Sequence, residues 1–429
     1  MKLKLKRDLG LVEATIYGIG IILGAGIYVL IGPAAGLGGN AVWLSFVIGA
    51  VIASFTGLSY AELSSMYPKA AAEFIYVKKA YGSKSLAFLV GWLIIFTGVV
   101  SASAVALGFS GYLMKILNLN GSLIIPSIAL IVVLSFVNFA GIKESSRLNF
   151  ITTSIEVIGL FLIIFLGASS LGKVNYLEMP LGFKGVLSAA ALIFFAYIGF
   201  EDIVNIAEET KSPRKFIPLA IIIAVIVTTI LYMIISIISV SLVDYRELKN
   251  APNALALVAS KTALGQHAYF IISFIALFAT SGTVLVVLVV VSRMIYGMAT
   301  EHSLPSKLGK IHRKTKTPWL AVIAVMLLSI VFLFYGNIEA IANVTSLGAL
   351  ITFAAVNLSL LWLRYTKPNL ERHFKVPLNI GNYPITSVLG LMLCSFMIFQ
   401  FNWDLILFGV MVIVIGVIFY WFRRNKIIE

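Results

Sequence analysis

The chain has 429 residues, of which 60% are hydrophobic and only 12% charged, and its mean hydropathy is +1.02. A soluble globule of this size would need more polar surface, so the composition predicts lipid as the solvent for much of the chain. The net charge of +14 suggests nucleic-acid binding only if the basic residues cluster on a soluble surface.

Apolar runs between polar breaks predict about 12 transmembrane helices, because about 20 helical residues cross roughly 30 Å of hydrocarbon. The predicted helices cover residues 9–36, 41–65, 85–114, 123–140, 147–170, 185–208, 216–242, 266–300, 318–335, 339–363, 383–401 and 403–422. Strand-length alternation is missing, which argues against a transmembrane barrel. No small-residue cleavage site follows a short apolar core, so we expect the first helix to be retained.

The distribution of basic residues predicts the orientation. With the N-terminus inside the cell, 25 of the 32 lysine and arginine residues fall in cytoplasmic segments and six on the opposite side. Because basic residues collect in cytoplasmic loops, we predict a multi-pass protein of the cell membrane with both termini in the cytoplasm and no nucleic-acid partner. Arg293, near a helix end, is expected to snorkel, or else to form a gate ion pair with Glu13 or Glu62.

Two connecting segments are long enough to have structure of their own. Residues 67–83 follow the second predicted helix, and residues 250–266 precede the eighth, where residues 254–258 could form a short surface helix. Ordinary connectors explain both segments equally well. The single cysteine, Cys394, lies in an apolar run, which is typical of a small buried residue rather than of a redox or metal ligand.

The first and sixth predicted helices contain sequences that disfavour continuous helix. Residues 24–26 (Gly-Ala-Gly) interrupt the first, and residues 198–202 (Ile-Gly-Phe-Glu-Asp) interrupt the sixth. Unwound backbone at mid-membrane must be buried in protein or line a cavity, so its freed N–H and C=O groups need a partner, and a polar solute would provide one. Gly18 and Gly20 are better explained by close packing of helices.

Interrupted helices at corresponding places in two halves of a chain are typical of secondary transporters with a site near the bilayer midplane. The first and sixth helices correspond if the chain has two five-helix repeats, whose topologies are opposite because five is odd. We therefore predict an all-α integral membrane protein with a 5+5 inverted-repeat core. Its parts are a cytoplasmic segment at residues 1–8, repeats at 9–170 and 171–365, and two further helices within 366–429.

Several motifs occur in an order found in one transporter superfamily. They are Gly18-x-Gly20-x-x-x-Gly24-Ala-Gly-Ile-Tyr28, Tyr60-Ala-Glu-Leu63, Phe194-Phe-Ala-Tyr-Ile-Gly-Phe200 and Ala207-Glu-Glu-Thr-Lys-Ser-Pro213. They resemble signatures of the amino acid–polyamine–organocation superfamily, particularly of the cationic amino acid transporter-like proteins of bacteria and archaea. The resemblance covers roughly residues 10–365 and implies secondary transport of amino acids by alternating access.

The resemblance also implies how the two interruptions would hold a zwitterionic amino acid. Free N–H groups at a helix N-terminus suit a carboxylate, and free carbonyls at a helix C-terminus suit an ammonium. The implied backbone contacts are Gly24, Ala25 and Gly26 for the carboxylate, and Ile21, Phe195, Ala196 and Ile198 for the ammonium. The ring of Phe195 would close over the substrate as a gate, with ordinary packing as the alternative.

Ionisable groups inside membrane helices are costly and usually functional. The position of Glu156 in the fifth helix resembles one that a lysine occupies in proton-coupled relatives, so this departure removes the cation that their mechanism uses. The Glu156 carboxyl could carry a proton, help Thr280 and Ser281 bind Na⁺, or make a structural hydrogen bond. Glu201 resembles a carboxylate associated with proton coupling in related antiporters, although a helix-capping role explains it too.

Taken with the resemblance, these residues predict proton-coupled uptake of an amino acid. No cofactor is expected beyond a transmembrane proton gradient, with a sodium gradient as the alternative. A polyamine or organic-cation transporter and an amino-acid antiporter of the same fold are competing interpretations. The motifs HExxH, GxSxG and GxxxxGK[ST] are absent from the sequence, which argues against an enzyme or an ATP-driven pump. The sequence does not indicate an oligomeric state.

Overall fold

The computed structural model describes residues 9–69, 71–251, 253–335 and 338–427, so the predicted cytoplasmic segment at residues 1–8 lies outside the described residues. Within these ranges the chain forms fifteen α-helices, six short 3₁₀ segments and one two-stranded antiparallel hairpin. The fold is therefore all-α apart from a minimal hairpin.

The helices follow the predicted runs closely. The first part of the chain forms α1 (Leu11–Gly38), α2 (Val42–Met66), α3 (Ala72–Tyr81), α4 (Lys84–Ile116), α5 (Ile124–Ala140) and α6 (Ile142–Gly167). Next come α7 (Gly182–Ile193), 3₁₀ segments at Phe194–Tyr197 and Glu201–Glu209, α8 (Pro213–Leu242), α9 (Tyr245–Lys249), α10 (Ala254–Ser260), α11 (Gln266–Thr300), α12 (Trp319–Phe332) and α13 (Ile338–Thr366). The chain continues with β1 (Asn379–Ile380), β2 (Tyr383–Pro384), α14 (Ile385–Ile398) and α15 (Trp403–Ile427).

Among the described residues, eight helical segments are long and apolar enough to cross a membrane; the first of them contains both α1 and α2. Only 11% of the residues in the most apolar stretch of α15 are buried, whereas 78% are buried in the most apolar stretch of the α1–α2 segment. A long helix with so much exposed apolar surface requires lipid around it. The protein is therefore a multi-pass α-helical membrane protein.

Helix α1 lies at the centre of the molecule. It packs against α6, α7, α8 and α11, and it also contacts the 3₁₀ segment at residues 194–197. An aromatic cluster fills the core beside this contact, with the rings of Tyr60 and Phe200 5.8 Å apart and those of Phe200 and Phe353 5.1 Å apart. This packing brings the two interrupted segments side by side.

Both long connecting segments contain a helix. The segment at residues 67–83 contains α3, and the predicted helix at 254–258 is α10. The prediction that this second helix lies on the surface was wrong, since Leu255, Ala256 and Val258 are buried. Its apolar side chains avoid water by packing against α1 and α11. Cys394 is buried, as predicted.

The predicted snorkelling of Arg293 was also wrong. Its side chain is 2% exposed and donates from Nη1 to Oδ1 of Asn138, at 2.6 Å, on the neighbouring α5. A guanidinium that finds an acceptor inside the protein has no need to reach the interface. Its alternative partners are engaged elsewhere, because Glu13 accepts from the Gly10 N–H and Glu62 pairs with Arg364.

Glu62 is the anion of a buried charge cluster at the end of α2. Arg364, at the end of α13, donates to its two oxygens at 2.7 and 2.6 Å. The Nε atom of Arg372 lies 3.0 Å from Oε1, and the N–H of Val376 donates to Oε2 at 2.8 Å. This carboxylate therefore joins α2 to α13 and to the segment before β1.

A candidate binding site at two interrupted helices

Both predicted interruptions are confirmed. Inside α1, Gly24 has φ 6° and ψ −151°, which is far from helical geometry. In the sixth predicted helix, Ile198 is extended, and Gly199 has φ +129°, a value that L side chains rarely adopt. Main-chain groups around both points are thus released from the regular helical hydrogen-bond pattern.

The two interruptions press against each other. A Cβ at Gly26 would lie 2.5 Å from the Cα of Ala196, and a Cβ at Gly199 would collide with the side chain of Ile21. Glycine is therefore required at both positions by close approach of the two segments. Ala196 forms this contact with Gly26, and Ile198 directly precedes Gly199. Most of the residues predicted for substrate binding therefore lie in one small region.

The packing interpretation of the earlier glycines is also supported. A Cβ at Gly18 would collide with Ile203 in the 3₁₀ segment Glu201–Glu209, and a Cβ at Gly20 would collide with Thr153 on α6. These two glycines allow close contact between helices and do not themselves open the helix.

The N–H side of the site contains a hydroxyl that sequence reasoning missed. The N–H of Ala25 donates to Oγ1 of Thr283 at 2.9 Å, and Thr283 in turn donates to the carbonyl of Ala279 at 3.0 Å. Gly24 leaves room for this hydroxyl, because a Cβ there would collide with it. The Ala25 N–H, which is predicted to bind the substrate carboxylate, is thus hydrogen-bonded to a hydroxyl in this conformation.

The two hydroxyls predicted from the sequence bond within their own helix. Thr280 donates to the carbonyl of Ala276 at 2.7 Å, and Ser281 donates to that of Phe278 at 3.0 Å. The residue that reaches the interruption, Thr283, lies one turn after Thr280 on the same helix. That i, i+3 relation places Thr283 on the same side of the helix as Thr280, but it does not indicate which of the two hydroxyls meets α1.

The carbonyl side of the site converges on a second missed residue, Tyr232 of α8. Its hydroxyl contacts the carbonyls of Ile22, Leu23 and Ala196, the last two at 3.0 Å. A phenol has one hydrogen to donate, so it satisfies one of these three acceptors at a time. Three carbonyls directed at one hydroxyl make a local concentration of negative partial charge that suits a cationic group. The only signal in the sequence is a phenol within a long apolar helix.

Phe195, in the 3₁₀ segment Phe194–Tyr197, is buried and belongs to the same apolar cluster as Ala25. Its carbonyl accepts from the Ile198 N–H at 3.2 Å. The packing interpretation of Phe195 accounts for these contacts, and its role as a gate stays a prediction.

Glu156 lies on α6 beside the carbonyl side of the site. Its residue is 2% exposed, and Oε1 has no hydrogen-bond partner among the described residues. The carboxyl is close enough to interact electrostatically with the hydroxyls of Tyr28 and Tyr232. A structural hydrogen bond therefore does not explain Oε1, and the acid is within electrostatic range of the Tyr232 phenol, which contacts the main-chain carbonyls.

Glu201 and Asp202 lie beyond the second interruption and are both largely buried. Oε2 of Glu201 accepts from the Gly199 N–H at 2.8 Å, so the capping interpretation describes a contact that is present. Both acids line a cavity of about 40 Å³ that also includes Thr97 and Ser101. Ligand sites usually enclose about 300 Å³ or more, so this conformation is closed around the site.

Two larger grooves approach the site from opposite ends of α1. One, of about 450 Å³, lies between the start of α1 and the start of α6, and its lining includes Glu13, Tyr17 and Arg147. The other, of about 530 Å³, lies near the end of α1, and its lining includes Leu37 and Asn343. The interrupted segments therefore lie between a groove on each side of the helical bundle.

Known proteins resemble this chain along nearly its whole length. Residues 9–422 match the amino acid permease family. The chain is 31% identical to the branched-chain amino acid permease of Bacillus subtilis, with 98% of the chain and 94% of the relative aligned, and 29% identical to the methylthioribose transporter of the same organism. It is 32% identical to the vacuolar cationic amino acid transporter 4 of Arabidopsis thaliana, over 85% of the chain and 64% of the relative. The chain therefore belongs to the amino acid permease family, within the amino acid–polyamine–organocation superfamily.

Proposed function

We propose that this protein is a secondary active amino-acid transporter of the cell membrane that takes up its substrate by proton-coupled alternating access. The observation that carries the proposal is the contact between two interrupted helices, where the Ala25 N–H bonds to a hydroxyl on one side and main-chain carbonyls meet the Tyr232 hydroxyl on the other. A zwitterionic amino acid complements both sets of groups. Relatives named as an amino acid permease and as cationic amino acid transporters support the same substrate class.

In this proposal the substrate replaces the hydroxyls of Thr283 and Tyr232 as the hydrogen-bond partner of main-chain groups. Its carboxylate binds the N–H groups of Gly24, Ala25 and Gly26, displacing Thr283. Its ammonium, which has three hydrogens to donate, binds freed carbonyls such as those of Ile22 and Ala196. These contacts involve the main chain, so they are common to all amino acids, and the side chain would be selected elsewhere in the cavity.

A 5+5 inverted repeat of about 12 transmembrane helices is part of the proposal. Under this assignment α3, α9 and α10 are connectors, and α7 with its 3₁₀ segments is the sixth crossing. The packing of four of the five equivalent pairs supports it, since α1 contacts α7, α2 contacts α8, α4 contacts α11 and α5 contacts α12. Such pairing is expected around a pseudo-two-fold axis. Both termini would then lie on the same side of the membrane, and the distribution of basic residues assigns that side to the cytoplasm.

Glu156 is the proposed proton carrier. An ionised carboxylate buried beside phenols, with an unpaired oxygen, is unfavourable, whereas a neutral acid is tolerated there. Sodium coupling would instead require the ionised carboxylate, which is the unfavourable form in these surroundings, together with further oxygen ligands. Glu201 is a second proposed coupling residue, because protonating its carboxyl would alter the hydrogen bond that holds Gly199.

We expect the purified protein in liposomes to accumulate a labelled neutral amino acid when the lumen is alkaline relative to the outside. Glu156→Gln should abolish accumulation against the concentration gradient, because the side chain can no longer bind and release a proton. It should leave exchange of labelled for unlabelled substrate measurable. Glu371→Gln, at a side chain that is 85% exposed, is the matched control and should behave as the wild type. Accumulation that is independent of any ion gradient would contradict the coupling.

Tyr232→Phe should raise the apparent KM for uptake about tenfold. The change removes the phenol oxygen, which can accept a hydrogen bond from the ammonium once the ammonium has bound the carbonyls, and a net loss of about 1.4 kcal/mol corresponds to tenfold in binding. The measurement is initial uptake rate against substrate concentration. Tyr365→Phe, at an exposed ring on α13, serves as the control. Unchanged KM and maximal rate in Tyr232→Phe would remove the phenol from the site.

A further inference from the structure

Helix α3 lies outside the proposed crossings, on the predicted cytoplasmic side, and is docked beneath the second interrupted segment. Near its start, the N–H of Ala72 donates to Oδ1 of Asn205, in the 3₁₀ segment Glu201–Glu209, at 3.2 Å. Near its end, Nζ of Lys78 lies 2.5 Å from Glu301, just after α11. Helix α3 therefore connects the interrupted helix to the segment after α11, and its Glu73 interacts with Tyr60 and Glu201, which line the small cavity.

Glu73, in the first turn of α3, is the group that this docking buries. Its residue is 0% exposed, and neither carboxyl oxygen has a hydrogen-bond partner among the described residues. The amide of Asn205 and the hydroxyl of Tyr60 face it without reaching ordinary hydrogen-bond geometry. A carboxylate fully removed from water and left unpaired is strongly disfavoured, so the docked arrangement favours the neutral acid.

Two further buried acids, Glu201 and Asp202 of the interrupted helix, interact electrostatically with Glu73, so a second negative charge close to them is unfavourable. The amide of Asn205 and the phenol of Tyr60 act the other way, since both favour the ionised form, but burial outweighs them. Helices α4 and α13 also pack against α3. Among the described residues, no lysine or arginine of these helices acts on the Glu73 carboxyl. Burial raises the pKa of Glu73 from its ordinary value of 4.5 to about 7.

We propose that Glu73 is a proton-release site that controls access from the cytoplasm: the neutral acid keeps α3 docked, and loss of its proton releases α3 and opens the small cavity. In this step the O–H bond of the carboxyl breaks, the proton passes to water, and the resulting carboxylate becomes hydrated as α3 moves away. The inference deepens the proposed function and rests on it for the direction of transport, although the docking equilibrium itself requires no substrate.

The expected pH dependence follows from the raised pKa. The docked state binds the proton more tightly than the released state, so docking is strongest below the ordinary pKa of 4.5. It weakens as the pH rises from 4.5 to about 7, by at most about tenfold per pH unit, and changes little above that range. Cytoplasmic pH near neutrality would thus favour release.

A single reactive thiol in the cavity tests this equilibrium. Ser101 lines the cavity, so Ser101→Cys in a Cys394→Ser background gives one reporter for a methanethiosulfonate reagent. Labelling rates are compared between protein with Glu73 and protein with Glu73→Gln at each pH, which cancels the ionisation of the thiol. We expect the two rates to differ by no more than about fourfold at pH 5 and the Glu73 protein to label at least about tenfold faster at pH 8.

Two further variants keep the test decisive if Glu73→Gln folds poorly. Glu73→Asp should retain the pH dependence of labelling, whereas Glu301→Gln, which frees the other end of α3, should speed labelling at every pH. A labelling ratio of Glu73 to Glu73→Gln that does not change with pH would overturn the inference, as would an unaltered rate in Glu301→Gln. Because labelling requires no transport, amino-acid accumulation with pH-independent labelling would refute this inference alone. Failure to accumulate any amino acid despite the expected labelling would refute only the proposed function.

Discussion

Replacing Gly26 with alanine is expected to lower amino-acid uptake at least about tenfold. The new Cβ would lie 2.5 Å from both the Cα and the Cβ of Ala196, a separation that real Cβ atoms do not show. The obstacle is main chain and cannot rotate away, so the two interrupted segments must separate. Overpacking of this kind costs about 1–3 kcal/mol, and 1.4 kcal/mol is tenfold in a rate or binding constant.

Uptake into liposomes by equal amounts of reconstituted protein measures this effect. Gly111→Ala on α4 is the matched control, because a Cβ there meets nothing within 4 Å. Alanine is also the better helix former, so the control should retain uptake and lose no thermal stability. Wild-type uptake by Gly26→Ala would show that the contact between the interruptions is not needed for transport.

The largest effect on stability is expected for Glu62→Gln. The change leaves Arg364 and Arg372 without their shared anion, although their side chains are only 4% and 2% exposed. Removing one partner of a buried ion pair costs about 3–5 kcal/mol, because the remaining charge is buried and uncompensated. The link between α2 and α13 should weaken together with it.

Thermal unfolding of the purified protein in detergent measures this loss as a lower midpoint. Glu247→Gln is a suitable control, since Glu247 and Lys261 form an exposed pair, 49% and 44% exposed, with a separation of 3.4 Å. Exposed pairs contribute about 0–1 kcal/mol, so this midpoint should hardly move. Equal midpoints for the two variants would mean that the buried cluster adds no more than a surface pair.

The sequence alone predicted the helices and the places where they break. The predicted segment 266–300 coincides with α11 (Gln266–Thr300), and 41–65 differs by one residue from α2 (Val42–Met66). The interruptions at Gly24 and Gly199 were likewise visible as glycines in long apolar runs. These features are local: a membrane helix satisfies its own backbone hydrogen bonds, so its length and its breaks depend on consecutive residues.

The partners of the polar groups were decided only by the tertiary structure. Thr283 reaches Ala25 across 258 positions of the chain, and Arg364 reaches Glu62 across 302. Hydroxyls such as Thr280 and Thr283 look alike in sequence, and the rotation and depth of α11 determine which of them meets α1. Burial of Glu73 beneath the interrupted helix likewise required α3 to dock. Such contacts depend on how separate helices pack, and no stretch of consecutive residues encodes that arrangement by itself.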